Sequence, residues 1–177
     1  YLTDGTIIKV DYTKTIGLLN FTQTGNAYFQ DMVIECENIN LNGIFEYRSP
    51  ISFYGHVTVS GTLHNDNNTN HTAYIYGSLT NNGTIQNNYY NNSLYITGNV
   101  AQNGIWSNYY NYLSGSGTQN LSQTQEFTCN RIVDTDPASS INGTSDLTFY
   151  NTDFDLDGAS LTMADYSILT LDACWIK

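Results

Sequence analysis

The feature that most constrains this chain is a glycine-based pattern that occurs three times between Ile51 and Asn108. Each copy contains two glycines six residues apart, and apolar residues stand two before the first glycine and two after each of them. The first glycines are Gly55, Gly77 and Gly98, so the period is about 21 residues. A repeat of this length is typical of solenoids, in which each repeat forms one coil and is buried only by its neighbours.

Two all-β folds compete for this pattern. Asn-Gly pairs between apolar alternations are also a strong hairpin signal, so an antiparallel β-sandwich is the alternative. In a sandwich, the turns need not recur at a fixed spacing of about 21 residues, and the polar inserts need not fall at the same position in every repeat. A parallel β-helix needs both, because each coil must stack its inward residues on the coil below. The pattern therefore predicts a right-handed parallel β-helix with about 21 residues per coil.

The composition is consistent with one domain that contains little helix. The chain has 177 residues and is 40% hydrophobic, enough for one sizeable core. It is rich in Tyr, Asn and Thr but poor in the best helix formers. We expect a single solenoid over residues 1–177, with N-terminal coils or a cap in 1–50, regular repeats in 51–125 and acidic coils in 126–177. Gly43 is followed two residues later by an apolar residue, as Gly61 is, so we expect Gly43 to be the counterpart of Gly61 in a preceding, shorter coil.

The charge balance excludes some partners. Five Lys and Arg stand against 16 Asp and Glu, which gives a net charge of −11. Such a chain lacks the cations that bind nucleic-acid phosphates, and an anionic membrane surface would repel it. No stretch approaches the roughly 20 apolar residues of a membrane span. We therefore expect neither nucleic-acid binding nor membrane insertion.

The repeated coils, Gly-x-[Val/Leu]-x3-Gly-x-[Leu/Ile/Trp]-x-Asn, resemble the parallel β-helices of bacterial surface proteins. Adhesin-type passenger regions and the pectate-lyase-like superfamily share this architecture, and the resemblance covers residues 39–121. It implies a secreted or cell-surface protein with a non-catalytic structural or adhesion task. The alternatives are a carbohydrate-active enzyme similar to polysaccharide lyases, or a fragment of one, and a self-assembling filament subunit joined through open strand edges.

Aromatic clusters in the polar inserts are the candidate ligand-binding residues. Tyr89-Tyr90 and Tyr109-Tyr110 lie 20 residues apart, nearly one coil, so we expect them to stack at one corner. Aromatic rings beside Asn side chains can bind saccharides or a partner protein, although aromatic stacks also hold coils together without a ligand. The predicted set is Tyr89, Tyr90, Trp106, Tyr109, Tyr110 and Tyr112.

The acidic run before Gly158 is the candidate metal site. Asp153, Asp155 and Asp157 match the first half of a calcium loop, in which a hard cation takes several oxygen ligands. The loop pattern then requires Glu where this chain has Ala164. The alternative is a strand whose three aspartates face solvent. Calcium is the only cofactor that the sequence suggests.

The sequence contains no convincing catalytic set. Three cysteines without CxxC or CxxH spacing do not predict a zinc site. They fit either one disulfide, most plausibly between Cys129 and Cys174, or three buried free thiols. The few basic side chains give a lyase-type enzyme little choice of base, and Arg131 near Asp134 and Asp136 is the best candidate.

Overall fold

The computed structural model describes residues 6–65, 70–86, 93–129 and 131–177, with side chains from residue 20 onward. No helix occurs among these residues, and none of them therefore forms a helical membrane span. The strands are β1 (Thr6–Gln23), β2 (Asn26–Leu41), β3 (Ile44–Tyr47), β4 (Ile51–Val59), β5 (Thr62–Asn65), β6 (Thr72–Tyr76), β7 (Leu79–Asn81), β8 (Thr84–Gln86), β9 (Ser93–Ile96), β10 (Val100–Gln102), β11 (Ile105–Ser107), β12 (Tyr110–Leu113), β13 (Thr118–Gln123), β14 (Arg131–Asp134), β15 (Ser140–Gly143), β16 (Leu147–Tyr150), β17 (Asp153–Asp155), β18 (Ser160–Met163), β19 (Leu169–Asp172) and β20 (Trp175–Ile176).

The strands form a parallel β-solenoid of about seven turns, with stacked coils about 21 residues apart. Each coil has three faces. Face A contains β6, β9, β12, β14, β17 and β20, together with parts of the long strands β1, β2 and β4. Face B contains β7, β10, β13, β15 and β18, together with the last parts of β1, β2 and β4. Face C contains β3, β5, β8, β11, β16 and β19, together with the first parts of β1 and β2. Every strand pair in the described part of the chain is parallel, which confirms the predicted β-helix and excludes the antiparallel sandwich.

The apolar positions of the sequence repeat form continuous inward columns. On face A, Phe53 stacks on Ile75, and Ile75 stacks on Ile96. On face C, Leu63, Ile85 and Trp106 stack in the same way. All of these side chains are buried. Because a parallel strand pairs in register with the equivalent strand of the next coil, one apolar residue per coil is enough to build each column.

The glycines of the repeat lie at two corners of the coil. At the corner between faces B and C, a Cβ on Gly61 would collide with the carbonyl oxygen of Gly43, and one on Gly83 with that of Gly61. At the corner between faces A and B, a Cβ on Gly77 would collide with the carbonyl oxygen of Gly55. The backbones approach too closely there for any side chain. The stacking of Gly61 on Gly43 confirms that these two residues are counterparts.

Buried amide side chains complete the corner between faces B and C. Asn81 and Gln102 are paired in register and fully buried, and Asn81 Nδ2 donates to Gln102 Oε1 at 2.8 Å. Asn81 Oδ1 accepts from the Gly83 amide at 3.2 Å, and Gln102 Nε2 donates to the Gly104 carbonyl at 2.8 Å. The amides therefore satisfy backbone groups where the chain leaves one strand for the next.

The three cysteines are free. Cys129, Thr152 and Cys174 follow one another along the solenoid at one corner: Cys129 Sγ lies 3.9 Å from Thr152 Oγ1, and the Thr152 amide donates to Cys174 Sγ at 3.4 Å. Thr152 thus lies between the two sulfurs, so the structure agrees with free thiols, the second of the two alternatives, and not with a Cys129–Cys174 disulfide. Burial raises the pKa of Cys129 to about 12, so this thiol is neutral at pH 7.

Candidate binding surface

A row of tyrosines covers the outside of face A. Side chains alternate between the two sides of a strand, so the tyrosines next to the buried Ile75 and Ile96 point outward. Tyr74, Tyr95 and Tyr112 occupy one outward column on β6, β9 and β12. We call the following residues the tyrosine surface: Tyr54, Tyr74, Tyr76, Tyr95, Tyr109, Tyr110 and Tyr112.

The rings of the tyrosine surface stack from coil to coil. The closest pairs are Tyr54–Tyr76, with ring centroids 4.4 Å apart and planes at 15°, and Tyr95–Tyr112, at 4.3 Å and 11°. Tyr74 joins the two pairs, since its centroid lies 6.1 Å from Tyr76 and 5.3 Å from Tyr95. The aromatic row is therefore continuous over the coils that contain β4, β6, β9 and β12.

Because the rings stack, a ligand can reach only some of their atoms. Within the row the ring faces are turned toward one another, so ring edges and hydroxyl groups form most of the exposed area. Tyr54 and Tyr76 are the most exposed members, at 43% and 42%. Burial, followed by the neighbouring Tyr54 and Tyr74 phenols, raises the pKa of Tyr76 above its usual value. Burial and the neighbouring Tyr112 and Tyr74 do the same for the pKa of Tyr95. These hydroxyls are protonated at pH 7 and can both donate and accept hydrogen bonds.

Charged residues border the C-terminal end of the tyrosine surface. Arg131 is paired in register with Tyr110 on one side and with Asp153 on the other. Its guanidinium donates to Asp155 Oδ2 at 2.5 Å and holds the pKa of that carboxyl below its ordinary value. Lys177 Nζ lies 3.9 Å from Asp153 Oδ2. The tyrosine row thus ends at two ion pairs.

The three aspartates of the predicted calcium site do not converge. Asp153 and Asp155 project from the same side of β17 but contact different cations, and Asp157 is exposed beyond the strand. No group of three or more His, Cys, Asp or Glu side chains in the described ranges is arranged to hold a metal. Calcium binding by Asp153, Asp155 and Asp157 stays a prediction. A thermal melt with calcium and with chelator tests it, because a ligand of the folded state raises the midpoint.

The predicted ligand residues separate into three groups. Tyr109, Tyr110 and Tyr112 belong to the tyrosine surface, where Tyr109 and Tyr110 are in edge contact at 4.5 Å. Tyr89 and Tyr90 lie outside the described residues. Trp106 is not part of the tyrosine surface, because only 2% of it is exposed, it packs against Phe127, and its Nε1 donates to Asn111 Oδ1. Ligand binding by the predicted residues stays a prediction.

Sequence reasoning missed four members of the surface: Tyr54, Tyr74, Tyr76 and Tyr95. The signal was present. Tyr54 and Tyr76 directly precede the first glycine of their repeats, and Tyr74 and Tyr95 stand three before it. All four alternate with the apolar core positions and must therefore face outward. Trp106 occupies the repeat position of Leu63 and Ile85, which already indicated a core residue.

Comparison with known proteins adds no assignment: no family model matches the chain, no curated protein matches it, and no solved structure matches it.

Proposed function

We propose that this chain is a non-catalytic structural or adhesion module of a secreted or cell-surface protein, and that its tyrosine surface binds a glycan. The observation that carries the proposal is the continuous row of outward tyrosines on face A, two of which are more than 40% exposed. An aromatic row on the outside of a β-helix is not needed to fill the core. It places amphipathic side chains where a partner can reach them.

The shape and charge of the surface favour a long, neutral glycan. The row follows the solenoid axis, and its residues repeat at the strand spacing of about 4.8 Å, which suits an extended polymer better than a small molecule. Residues 51–125 contain no Lys or Arg and only one acid, Asp66. A polyanionic saccharide would find few cations there. Hydroxyl groups and ring edges are suited to the hydroxyls and C–H groups of an uncharged sugar chain.

A glycan array with three variants tests this proposal. We expect Tyr76→Ala and Tyr112→Ala to lose most of the binding to neutral glycans, because each removes one ring of the row. Tyr150→Ala is the matched control, since Tyr150 is 48% exposed but lies on face C. Far-UV circular dichroism checks that the variants fold. Equal binding by Tyr76→Ala, Tyr112→Ala and the unmodified chain would refute the assignment of the surface.

Self-association is a second candidate function, and the coil that ends at Lys177 favours it. Leu171 and Ile176 are 40% and 43% exposed, although the residues that they pair with in the preceding coil, Phe149 and Phe154, are fully buried. A further parallel coil, from a second copy or from a continuation of the chain, would bury these side chains and pair the open strand edges.

Light scattering over a concentration series tests self-association. We expect mass to increase with concentration for the unmodified chain and to stay at the monomer value for the double variant Leu171→Lys/Ile176→Lys. The control is Ile105→Lys, because Ile105 is 61% exposed on the side of the solenoid. A monomer at all concentrations would contradict joining of copies through this end.

A further inference from the structure

The two closest ring pairs of the tyrosine surface have the geometry of a covalent modification site. Tyr54 and Tyr76 are paired in register on parallel strands, so both side chains leave the sheet in the same direction. Their rings are nearly parallel, with centroids 4.4 Å apart. Tyr95 and Tyr112 repeat this arrangement at 4.3 Å. In each pair, the two rings therefore lie face to face, one coil apart.

The phenol groups within each pair also lie together. After burial, the neighbouring Tyr54 phenol helps to raise the pKa of Tyr76, and the Tyr112 phenol helps to raise the pKa of Tyr95, so the two hydroxyls of each pair lie near each other. Tyr54 and Tyr76 are the more exposed pair, at 43% and 42%, so an oxidant can reach their ring edges.

We propose that Tyr54 and Tyr76 form an oxidative cross-linking site, at which hydrogen peroxide acting through a peroxidase joins two neighbouring coils by a dityrosine bond. Each phenol gives up one electron and one proton, and the two phenoxyl radicals form a carbon–carbon bond between ortho carbons. The ring hydrogens then move to the oxygens and restore aromaticity. The two electrons and two protons reduce one hydrogen peroxide to two waters. Tyr95 and Tyr112 form the second, less exposed site.

Two features make coupling within the pair favoured over coupling between molecules. The stacked rings are held together before oxidation, so the reaction has the high effective concentration of an intramolecular step. The cysteines of the chain are free, so dityrosine would provide a covalent link between coils that no disulfide supplies. Linking residues one coil apart restricts the unfolded chain and should raise the melting midpoint.

Oxidation of the purified chain by a haem peroxidase with limiting hydrogen peroxide tests the site. We expect monomer that has lost two hydrogen atoms in mass, dityrosine fluorescence, and a peptide that links Tyr54 to Tyr76. Tyr54→Phe retains the stacked ring but lacks the phenol, so it should lose that peptide and most of the fluorescence. Tyr150→Phe is the control, because Tyr150 is exposed outside the row, and it should leave the linked peptide unchanged.

Three results would overturn the proposal. The first is an unmodified monomer under conditions that cross-link free tyrosine. The second is a peptide that still links positions 54 and 76 in Tyr54→Phe. The third is cross-linking that occurs only between molecules. A raised melting midpoint in the oxidised monomer, absent from oxidised Tyr54→Phe, would give independent support. Since Phe keeps the ring stack, circular dichroism of the untreated variant separates a loss of chemistry from a loss of fold.

Discussion

At the residue scale, the corner glycines control how closely two coils can approach. The nearest atoms to a Cβ on Gly83 are all backbone atoms of Ser60 and Gly61 in the preceding coil. Backbone atoms cannot move aside as the end of a flexible side chain can, and the strands on both sides of the corner hold them in place. The repeat therefore needs glycine at this point for space, whatever the preference of the turn.

We expect Gly83→Ala to lower the free energy of unfolding by about 3 kcal/mol, the upper part of the range for inserting one carbon into a packed site. Gly117→Ala is the control, because no heavy atom lies within 4 Å of the Cβ that this substitution adds, and it should change stability by less than about 0.5 kcal/mol. Urea unfolding followed by circular dichroism measures both. Similar stabilities for the two variants would contradict the packing argument.

The ion pair of Arg131 and Asp155 makes stability depend on pH. The pKa of Asp155 is lowered in the folded state, so the pair stabilises the fold above the ordinary aspartate pKa of about 3.9. That contribution is lost as the pH falls through the lowered value. Since both side chains are partly exposed, the pair contributes no more than about 1 kcal/mol.

We expect Asp155→Asn to be less stable than the unmodified chain by about 0.5 to 1 kcal/mol at pH 7, and this difference to disappear as the pH falls below the lowered pKa of Asp155. The substitution keeps a side-chain oxygen for the Asp157 amide, so it removes mainly the charge. Urea titrations between pH 2 and pH 7 provide the measurement. Asp165→Asn serves as an exposed acid for comparison. A stability difference that does not depend on pH would show that the charge is not responsible.

At the element scale, amide side chains form ladders on both sides of the corner between faces B and C. The inner ladder, Asn81 to Gln102, is fully buried. In the outer ladder, Asn103 Nδ2 donates to Asn82 Oδ1 at 3.0 Å in an exposed position. The two bonds have similar geometry but different surroundings. Buried polar groups that lose their partners cost much more than solvated ones.

A double-mutant cycle on the inner ladder tests this difference. We expect Asn81→Leu and Gln102→Leu each to cost about 2 kcal/mol, because each leaves buried corner groups without partners. The double variant should cost less than the sum by about 0.5 to 1 kcal/mol, the coupling of two residues in contact. Asn103→Ala on the outer ladder should cost less than about 0.5 kcal/mol. Additive inner variants would show that the Asn81–Gln102 bond contributes nothing of its own.

At the scale of the whole molecule, the solenoid is better covered in its centre than in the coil that ends at Lys177. Trp106 is 2% exposed and Trp175 is 70% exposed, so the two tryptophans report on these regions separately. Stability in a solenoid is a sum over neighbouring coils, and a coil with one neighbour has roughly half the contacts. Local opening should therefore begin at the exposed coil.

We expect Trp175 to be quenched by acrylamide in the native chain and Trp106 to be protected, as measured on Trp106→Phe and Trp175→Phe. Amide hydrogens of β18 to β20 should exchange faster than those of β7 to β11. If the amide hydrogens of β18 to β20 exchanged as slowly as those of the central strands, another copy or another segment would have to cover this end. Repeating the exchange at several concentrations distinguishes a second copy from a cover within the chain.

The sequence by itself determined the coil. A period of about 21 residues, glycines at fixed phase and apolar residues at alternate positions admit few folds, because every coil must place the same residue types at the same corners. These features predicted the parallel β-helix, the inward columns and the Gly43–Gly61 correspondence. The outward direction of the tyrosines beside the core positions could also be predicted, since a residue next to an inward residue in a strand faces out.

Only the tertiary structure decided how residues of different coils meet. The distance and angle between the Tyr54 and Tyr76 rings, the placement of Thr152 between Cys129 and Cys174, and the pairing of Arg131 with Asp155 depend on side-chain packing, on the length of each insert and on the register that results. Sequence spacing gives the order of residues along a coil, but their neighbours lie one coil away. Contacts across coils are set by the packing of the complete solenoid, and the candidate surface is made of such contacts.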